Sequence, residues 1–305
     1  RVLVLLITPT HAFNAPWTVW RHIARLPRRG AEVACLFTRA AIPWKNRQIP
    51  GIAGTGPLCM TAIAAGRGYR PLPPISIDMP SNWTAVHPGI PQDRAIPIVI
   101  RGMHRARAFF GDTVTGTSRW ITANTVWDLL FGLLLLPITA GYLAIGRMLL
   151  AKIFFTDTRC NRCGICVEEC PEKAIVMPET PDRPVFWTWR CESCMRCMNT
   201  CPQRAVQVST PWVTGLIILM MWLTGSSGIF ALIRQIPDAW IIRSWLGHPP
   251  LSWAITVLVS WGVIVGGYRL FYRFSRWRWF RSLLTATAHT RWFRQYLAPK
   301  QPPGH

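Results

Sequence analysis

The residue pattern predicts two folded parts of mixed α and β structure, a parallel α/β layer and an α+β unit with an internal repeat, together with transmembrane helices. Three observations carry this reading. Cysteines spaced C-x2-C-x2-C-x3-C-P occur twice, at residues 160–171 and 191–202, so one small unit is present in two copies. Ahead of them, short aliphatic runs alternate with segments of helical period, as in a parallel layer. Behind them, residues 213–233 and 251–268 carry no charged side chain over close to the ~20 residues that a bilayer crossing needs.

The layer opens with residues 2–7, an apolar run too short to cross a membrane and without a cleavage site, read as a strand. The chain starts at Arg1 rather than Met, which predicts residues ahead of it. A loop at 8–16 leads to a helix at 17–26, where Trp17, Trp20, Ile23 and Ala24 recur at helical spacing behind Pro16. A second strand follows at 33–37, then a Gly/Pro-rich stretch through Gly51, Gly54 and Gly56, a helix at 58–65 and a third strand at 74–78. A basic helix at 93–110 completes the layer.

Residues 128–146 are nearly free of charge, with Pro137 in the middle. One crossing there would separate the first domain from the cysteine motifs. A membrane-embedded hairpin or a half-inserted helix broken at Pro137 is expected. The later apolar pair reads as a hairpin around the loop at 234–250, and Arg269, Arg273, Arg276, Arg278 and Arg281 follow it. By the positive-inside rule the cysteine unit and the tail both lie on the cytoplasmic face of the inner membrane. In the tail, arginines alternate with Phe274, Trp277, Trp279, Phe280, Trp292 and Phe293, suiting an anionic leaflet. The expected organisation is an α/β domain at 1–118, apolar membrane-associated linker helices at 119–155, a cluster domain at 156–210, a transmembrane hairpin at 211–272 and a basic aromatic cytoplasmic tail at 273–305.

In the cysteine motifs, three thiolates two residues apart wrap three irons of a cubane. The fourth, followed by proline, turns away to reach the other cluster. Two [4Fe-4S] clusters are therefore expected, one on Cys160, Cys163, Cys166 and Cys201, the other on Cys191, Cys194, Cys197 and Cys170. Structural zinc is the alternative, but zinc ribbons use isolated C-x2-C pairs and need neither the third cysteine nor the Cys-Pro step. The repeats match beyond the cysteines, Glu172-Lys-Ala-Ile-Val beside Gln203-Arg-Ala-Val-Gln, as expected of a pseudo-twofold pair. The aromatic stretch 184–189 between them reads as a covering strand. Eight thiolate ligands require a reducing compartment; Cys35 and Cys59 are left as small buried hydrophobes.

The 305 residues carry a formal charge of +21 with only 13 acidic residues and 17 tryptophans. Positive mean hydropathy with abundant Arg and Trp fits a membrane protein with basic and aromatic side chains at the interface. Nucleic acid is not expected as a partner, because no nucleic-acid motif is present and the arginines flank apolar segments.

With these motifs in place, residues 1–210 resemble the fusion family in which a flavodoxin-like domain precedes a two-cluster ferredoxin domain. The resemblance rests on Pro9-Thr-His-Ala-Phe-Asn-Ala-Pro-Trp17, Leu36-Phe-Thr-Arg-Ala40, Gly68-Tyr69, Asp78-Met-Pro-Ser-Asn-Trp83, His87-Pro-Gly89 and the second cysteine motif. It implies a partial flavodoxin-like α/β domain entered at its third strand, lacking the Ser/Thr-rich phosphate loop. Gly54-Thr-Gly56 reads as a turn before a helix. Pro9, Thr10, His11, Thr38 and Arg39 would then be remnants of flavin-contacting loops. Without the phosphate cradle, FMN should bind poorly if at all.

Three functions stay open at this point. The leading one is a membrane-attached electron carrier passing single electrons through its clusters to or from a soluble partner. Arg159, Arg162, Arg190, Arg196 and Arg204 crowd the motifs, which predicts an acidic redox partner and potentials above those of an acidic ferredoxin. The others are a flavin-dependent reductase and a structural or assembly subunit of a membrane redox complex. No catalytic acid, base or nucleophile is identified, and neither a radical-SAM motif nor a P-loop occurs.

Overall fold

In the computed structural model, which describes residues 2–27, 30–44, 47–180, 183–224 and 249–293, strand β1 (Leu3–Pro9) leads through helix α1 (Trp17–Arg25) to strand β2 (Glu32–Ala40). The helical crossover makes the two strands parallel, with Leu3 opposite Glu32 and Pro9 opposite Thr38. The Gly/Pro-rich stretch expected as a loop contains a short antiparallel hairpin, β3 (Ile42–Trp44) and β4 (Arg47–Ile49). Three-residue strands interrupted by Pro43 and basic residues leave no alternating pattern to read. Helix α2 (Gly56–Gly66) follows, then a two-residue strand β5 (Arg70–Pro71), also unforeseen, and β6 (Ile75–Met79); both pair in parallel with β2. Helix α3 (Gln92–Thr115) runs beyond its expected end and stops at Gly116, whose φ of 76° suits glycine.

β2 is the central strand because both its faces are apolar. Val33, Cys35 and Phe37 pack with Ile23 of α1 and Met60 and Ala64 of α2. Ala34 and Leu36 face the other way, onto Ile77 and Phe109. The period of two distributes one strand between two cores. Cys35 is a buried packing residue, as expected, and burial pushes its thiol up to about 11.

Helix α4 (Ala123–Leu134) is capped by Thr122, whose side chain accepts from the Thr125 amide at 3.2 Å. It breaks at Leu135 into α5 (Leu136–Gly141), which continues through a π-helical turn at Tyr142–Gly146 into α6 (Arg147–Leu150). The bend is 67°, next to Pro137, where a helix loses an amide donor. One side of α4–α5 is polar and tied to the sheet; Leu130, Leu133, Leu134 and Ile138 on the other are exposed. Gly132 lets α4 approach closely: a Cβ there would lie 2.5 Å from the Thr55 amide nitrogen. Gly132→Ala is expected to cost about 1–3 kcal/mol as overpacking, measured as a lower melting temperature of this unit.

These elements, Arg1–Asn82 and Ile90–Leu143, form one compact unit; Trp83–Gly89 and Ala144–His305 form the other. In the second, β7 (Phe154–Thr156) leads to α7 (Ile165–Glu168), β8 (Ile175–Val176), β9 (Phe186–Trp187), α8 (Arg196–Thr200) and β10 (Val206–Val208). β7 pairs antiparallel with β10, and β8 with β9, so the expected covering strand is a two-residue rung. The core is built on Phe154, Trp187, Met195 and Met198, and Ala85 of the 83–89 segment is part of it. Thr84 anchors that segment through Oγ1 to Asn199 Oδ1 at 3.4 Å.

Helices α9 (Thr210–Thr224) and α10 (Pro249–Phe274) pack together through Leu216 and Ile264. At Gly267 a Cβ would meet Leu216 Cδ2 at 2.8 Å. In α10, Leu251–Phe274 is long and apolar enough to cross a membrane. The remainder of the first expected span, 225–233, and its loop lie outside the described residues, as does the tail from 294. Helix α11 (Arg278–Thr287) and the 3-10 turn His289–Trp292 have an inner face as well as an exposed one. Leu284 and Ala288 are buried with Phe155 and Phe271. The His289 Nε2–H donates to the Ala85 carbonyl at 2.8 Å, and Thr290 Oγ1 donates to Gln207 Oε1 at 2.6 Å while accepting from the Val208 amide at 3.0 Å. Trp277, Trp279, Leu283 and Trp292 stay exposed on the outer side. The alternation of Arg with aromatics revealed the outer face only; the docking depends on His289 and Thr290, which no periodicity marks.

Candidate metal centres

Each cysteine motif folds as a loop ending in one short helix, and the two halves repeat the same backbone departures. Arg162 and Ser193, Gly164 and Met195, and Lys173 and Arg204 occupy matching places and all have positive φ, the last pair at 48° each. Such left-handed steps turn successive amides inward and create anion-binding concavities. The turn at Lys173 brings the Ala174 N–H to Cys170 Sγ at 3.3 Å, and the turn at Arg204 brings the Ala205 N–H to Cys201 Sγ at 3.3 Å. The Ser193 N–H points at Cys191 Sγ at 3.4 Å. The matching alanines of the two repeats thus have a physical role: they close the turn over the sulfur.

Two cavities result. One is lined by Cys160, Cys163, Cys166 and Cys201; the other by Cys170, Cys191, Cys194 and Cys197. Each receives three thiols from one motif and one from the other, the grouping that the Cys-Pro step predicts. Among the described residues no three Cys, His, Asp or Glu side chains converge as they would on a single metal ion. A [4Fe-4S] cluster takes one thiolate on each of its four irons, so Cys160, Cys163, Cys166 and Cys201 would hold one and Cys191, Cys194, Cys197 and Cys170 another.

Charge sorts the thiols the same way. Burial, then repulsion from Cys160, Cys201 and Cys163, pushes Cys166 up to about 12. Cys191 is also pushed up to about 12, by burial first and by Cys194 and Cys170, with Lys152 acting in the opposite direction. Burial, followed by repulsion from Cys191 and Cys194 and, across the motifs, from Cys166, raises Cys197 well above the ordinary thiol value. Burial thus opposes ionisation of Cys160, Cys166, Cys191, Cys194 and Cys197, and a cationic group bound by their thiolates would displace their protons.

The arginines near the motifs divide into two kinds. Arg159 is committed to the buried Asp157, Nη2 to Oδ2 at 2.6 Å; Arg162 donates to the carbonyls of Arg183 and Pro178; Arg196 pairs with Glu169. Arg190 and Arg204 are exposed. A cation missed in the sequence differs from these in its burial: Lys152 is fully buried and donates to the Trp187 carbonyl. Burial lowers its pKa to about 7, against the pull of Cys191. A lone lysine after an apolar helix gives no signal of this in sequence.

The residues expected as flavin loops make contacts within the first unit, while the Thr10 hydroxyl is buried with no protein hydrogen bond among the described residues. The Thr10 amide donates to the Thr38 carbonyl at 2.9 Å, just beyond Pro9. His11 is half-buried beside the Tyr142 hydroxyl, and desolvation lowers its pKa to about 4, leaving it neutral. Thr139 Oγ1 donates to the Ala12 carbonyl at 2.8 Å. The Arg39 guanidinium, fully buried, bonds Asp78 Oδ1 at 2.9 Å, Asp128 Oδ1 at 2.8 Å and Asn124 Oδ1 at 3.1 Å. Parallel sheets bind ligands at the carboxyl ends of their strands; here α4 and α5 sit over the ends of β1, β2 and β6. Gly54-Thr-Gly56 is the turn into α2, as expected: Gly54 has φ of 65°, and Thr55 Oγ1 accepts from Asn14 Nδ2.

The family described as a 4Fe-4S dicluster domain matches residues 151–206. No curated protein and no solved structure matches the chain. Residues 151–206 are accordingly an iron–sulfur, metal-binding module of the electron-transfer class. The match does not extend into the first unit, and nothing in these comparisons supports a flavodoxin relationship.

Proposed function

We propose that this protein is a membrane-attached one-electron carrier with two [4Fe-4S] clusters at the cytoplasmic face of the inner membrane. Cys160, Cys163, Cys166 and Cys201 hold one cluster, and Cys191, Cys194, Cys197 and Cys170 the other. The observation that carries this reading is the sorting of eight thiols into two cavities, each completed by a cysteine of the opposite motif. Such clusters change charge by one with little ligand movement, and the amides on Cys170, Cys191 and Cys201 are the hydrogen bonds to sulfur that tune potential.

Attachment is supported by α10, whose apolar segment Leu251–Phe274 leaves Trp253, Leu258, Trp261 and Leu270 exposed, and by the lipid-like surface of α4–α5. The arginines that follow α10 support the cytoplasmic assignment. The exposed Arg190 and Arg204 favour an acidic protein partner, whose association should weaken with salt.

The test is metal and flavin content of the detergent-solubilised protein, purified without oxygen. About eight irons per chain and no flavin are expected for two such clusters. Zinc in place of iron, or iron for a single cluster, would overturn the assignment; stoichiometric FMN would make the protein a flavin reductase.

A further inference from the structure

Lys152 follows α6 and precedes β7, and its side chain lies wholly inside the second unit. Besides the Trp187 carbonyl, its Nζ is 4.2 Å from the ring centroid of Trp189, 4.3 Å from Tyr268 and 4.7 Å from Phe186. A carbonyl and three π faces hold an ammonium in place while leaving its charge uncancelled, because every one of these partners is neutral. Tyr268 is fixed in turn: its hydroxyl accepts from the Trp187 amide at 3.1 Å. The membrane-length helix α10 therefore forms one wall of the cage.

The charge acts on one cavity. Trp187, whose carbonyl accepts from Lys152, lines the cavity of Cys170, Cys191, Cys194 and Cys197 and is not part of the lining of the other. The cation that lines the first cavity is Arg162, a part-exposed guanidinium already bound to two carbonyls. Solvent screens such a charge far more than one buried among aromatic rings. The two cavities share their backbone turns and sulfur contacts; Glu172 and Glu192 also line the second, and Lys152 is the buried cation beside it.

We propose that Lys152 sets the order of the two centres: its charge raises the reduction potential of the centre on Cys170, Cys191, Cys194 and Cys197 above that of its twin. One electron entering the protein then comes to rest there, the twin losing what this centre gains, beside α10. The inference rests on the two-cluster reading.

The experiment is an EPR-monitored redox titration of the full-length protein in detergent, comparing wild type with Lys152→Met, Lys152→Arg and Phe186→Leu. The centre is identified as the one whose signal changes in Cys194→Ser. Lys152→Met should lower that centre's potential alone, by at least tenfold in its reduction equilibrium, about 59 mV for one electron. Lys152→Arg should keep the order. Phe186→Leu keeps the cation but admits water, so it should shift the same centre the same way by less, and it carries the test if the methionine variant does not fold. Equal shifts in both centres, a shift in the other centre only, or no shift would overturn the proposal. Failure of the two-cluster reading looks different: wild type itself would lack a second EPR-active centre.

Discussion

Cys170→Ser should remove or alter the centre held by the second motif while leaving that of the first, to which Cys170 belongs in sequence. Iron should fall from about eight toward about four per chain. Crossed ligation also predicts a pattern in combination. Cys170→Ser with Cys194→Ser should cost no more iron than either alone, because both act on one cavity; Cys170→Ser with Cys163→Ser should remove nearly all. Residues that act as a unit are non-additive in this way. The expectation follows from Cys170 lining the cavity of Cys191, Cys194 and Cys197, held there by the Ala174 amide. Iron analysis with EPR spin counting decides it. Additive loss in the Cys170–Cys194 pair would restore one self-contained cluster per motif.

Arg39→Leu should destabilise the first unit by about 3–5 kcal/mol, the cost of removing one partner from a buried ionic cluster. Asp128 would then be left without a cation and Asp78 with only the part-exposed Arg105 at 3.6 Å, although the Ala53 and Gly51 amides still donate to them at 2.9 and 2.8 Å. The double variant Arg39→Leu/Asp128→Leu should recover part of the loss, since the second change removes the stranded charge. Hydrogen exchange of residues 30–80 and thermal melting measure both. A melting temperature unchanged by Arg39→Leu would show that the network contributes nothing and would reopen a ligand-binding role for this residue. The two predictions are separable in one preparation, since the first reads iron and the second reads the fold of a different unit.

Local chemistry was readable wherever it is written at fixed spacing. The cysteine quartets, the matching Ala174 and Ala205, the short apolar run of β2 and the uncharged length of α10 all depend on residues close in the chain. What escaped was either too short or too remote. The hairpin β3–β4 and strand β5 have two or three residues each, below the length at which a period shows. Arg39 was noticed only through a resemblance, and its partners Asp78, Asn124 and Asp128 are each an ordinary polar residue in sequence. His289 and Thr290, in a stretch that reads as a basic arm, are stitched to Ala85 and Gln207 across the second unit.

Residue spacing alone decided that this chain carries cysteines for iron–sulfur clusters and a helix of membrane length, because thiol spacing and apolar length are properties of a few neighbouring residues. Only the tertiary structure decided that α4 and α5 cover the strand ends a ligand would need, and that a single lysine lies caged beside one cavity and not the other. Charge effects depend on distance and burial, and both arise only when segments far apart in the chain come together.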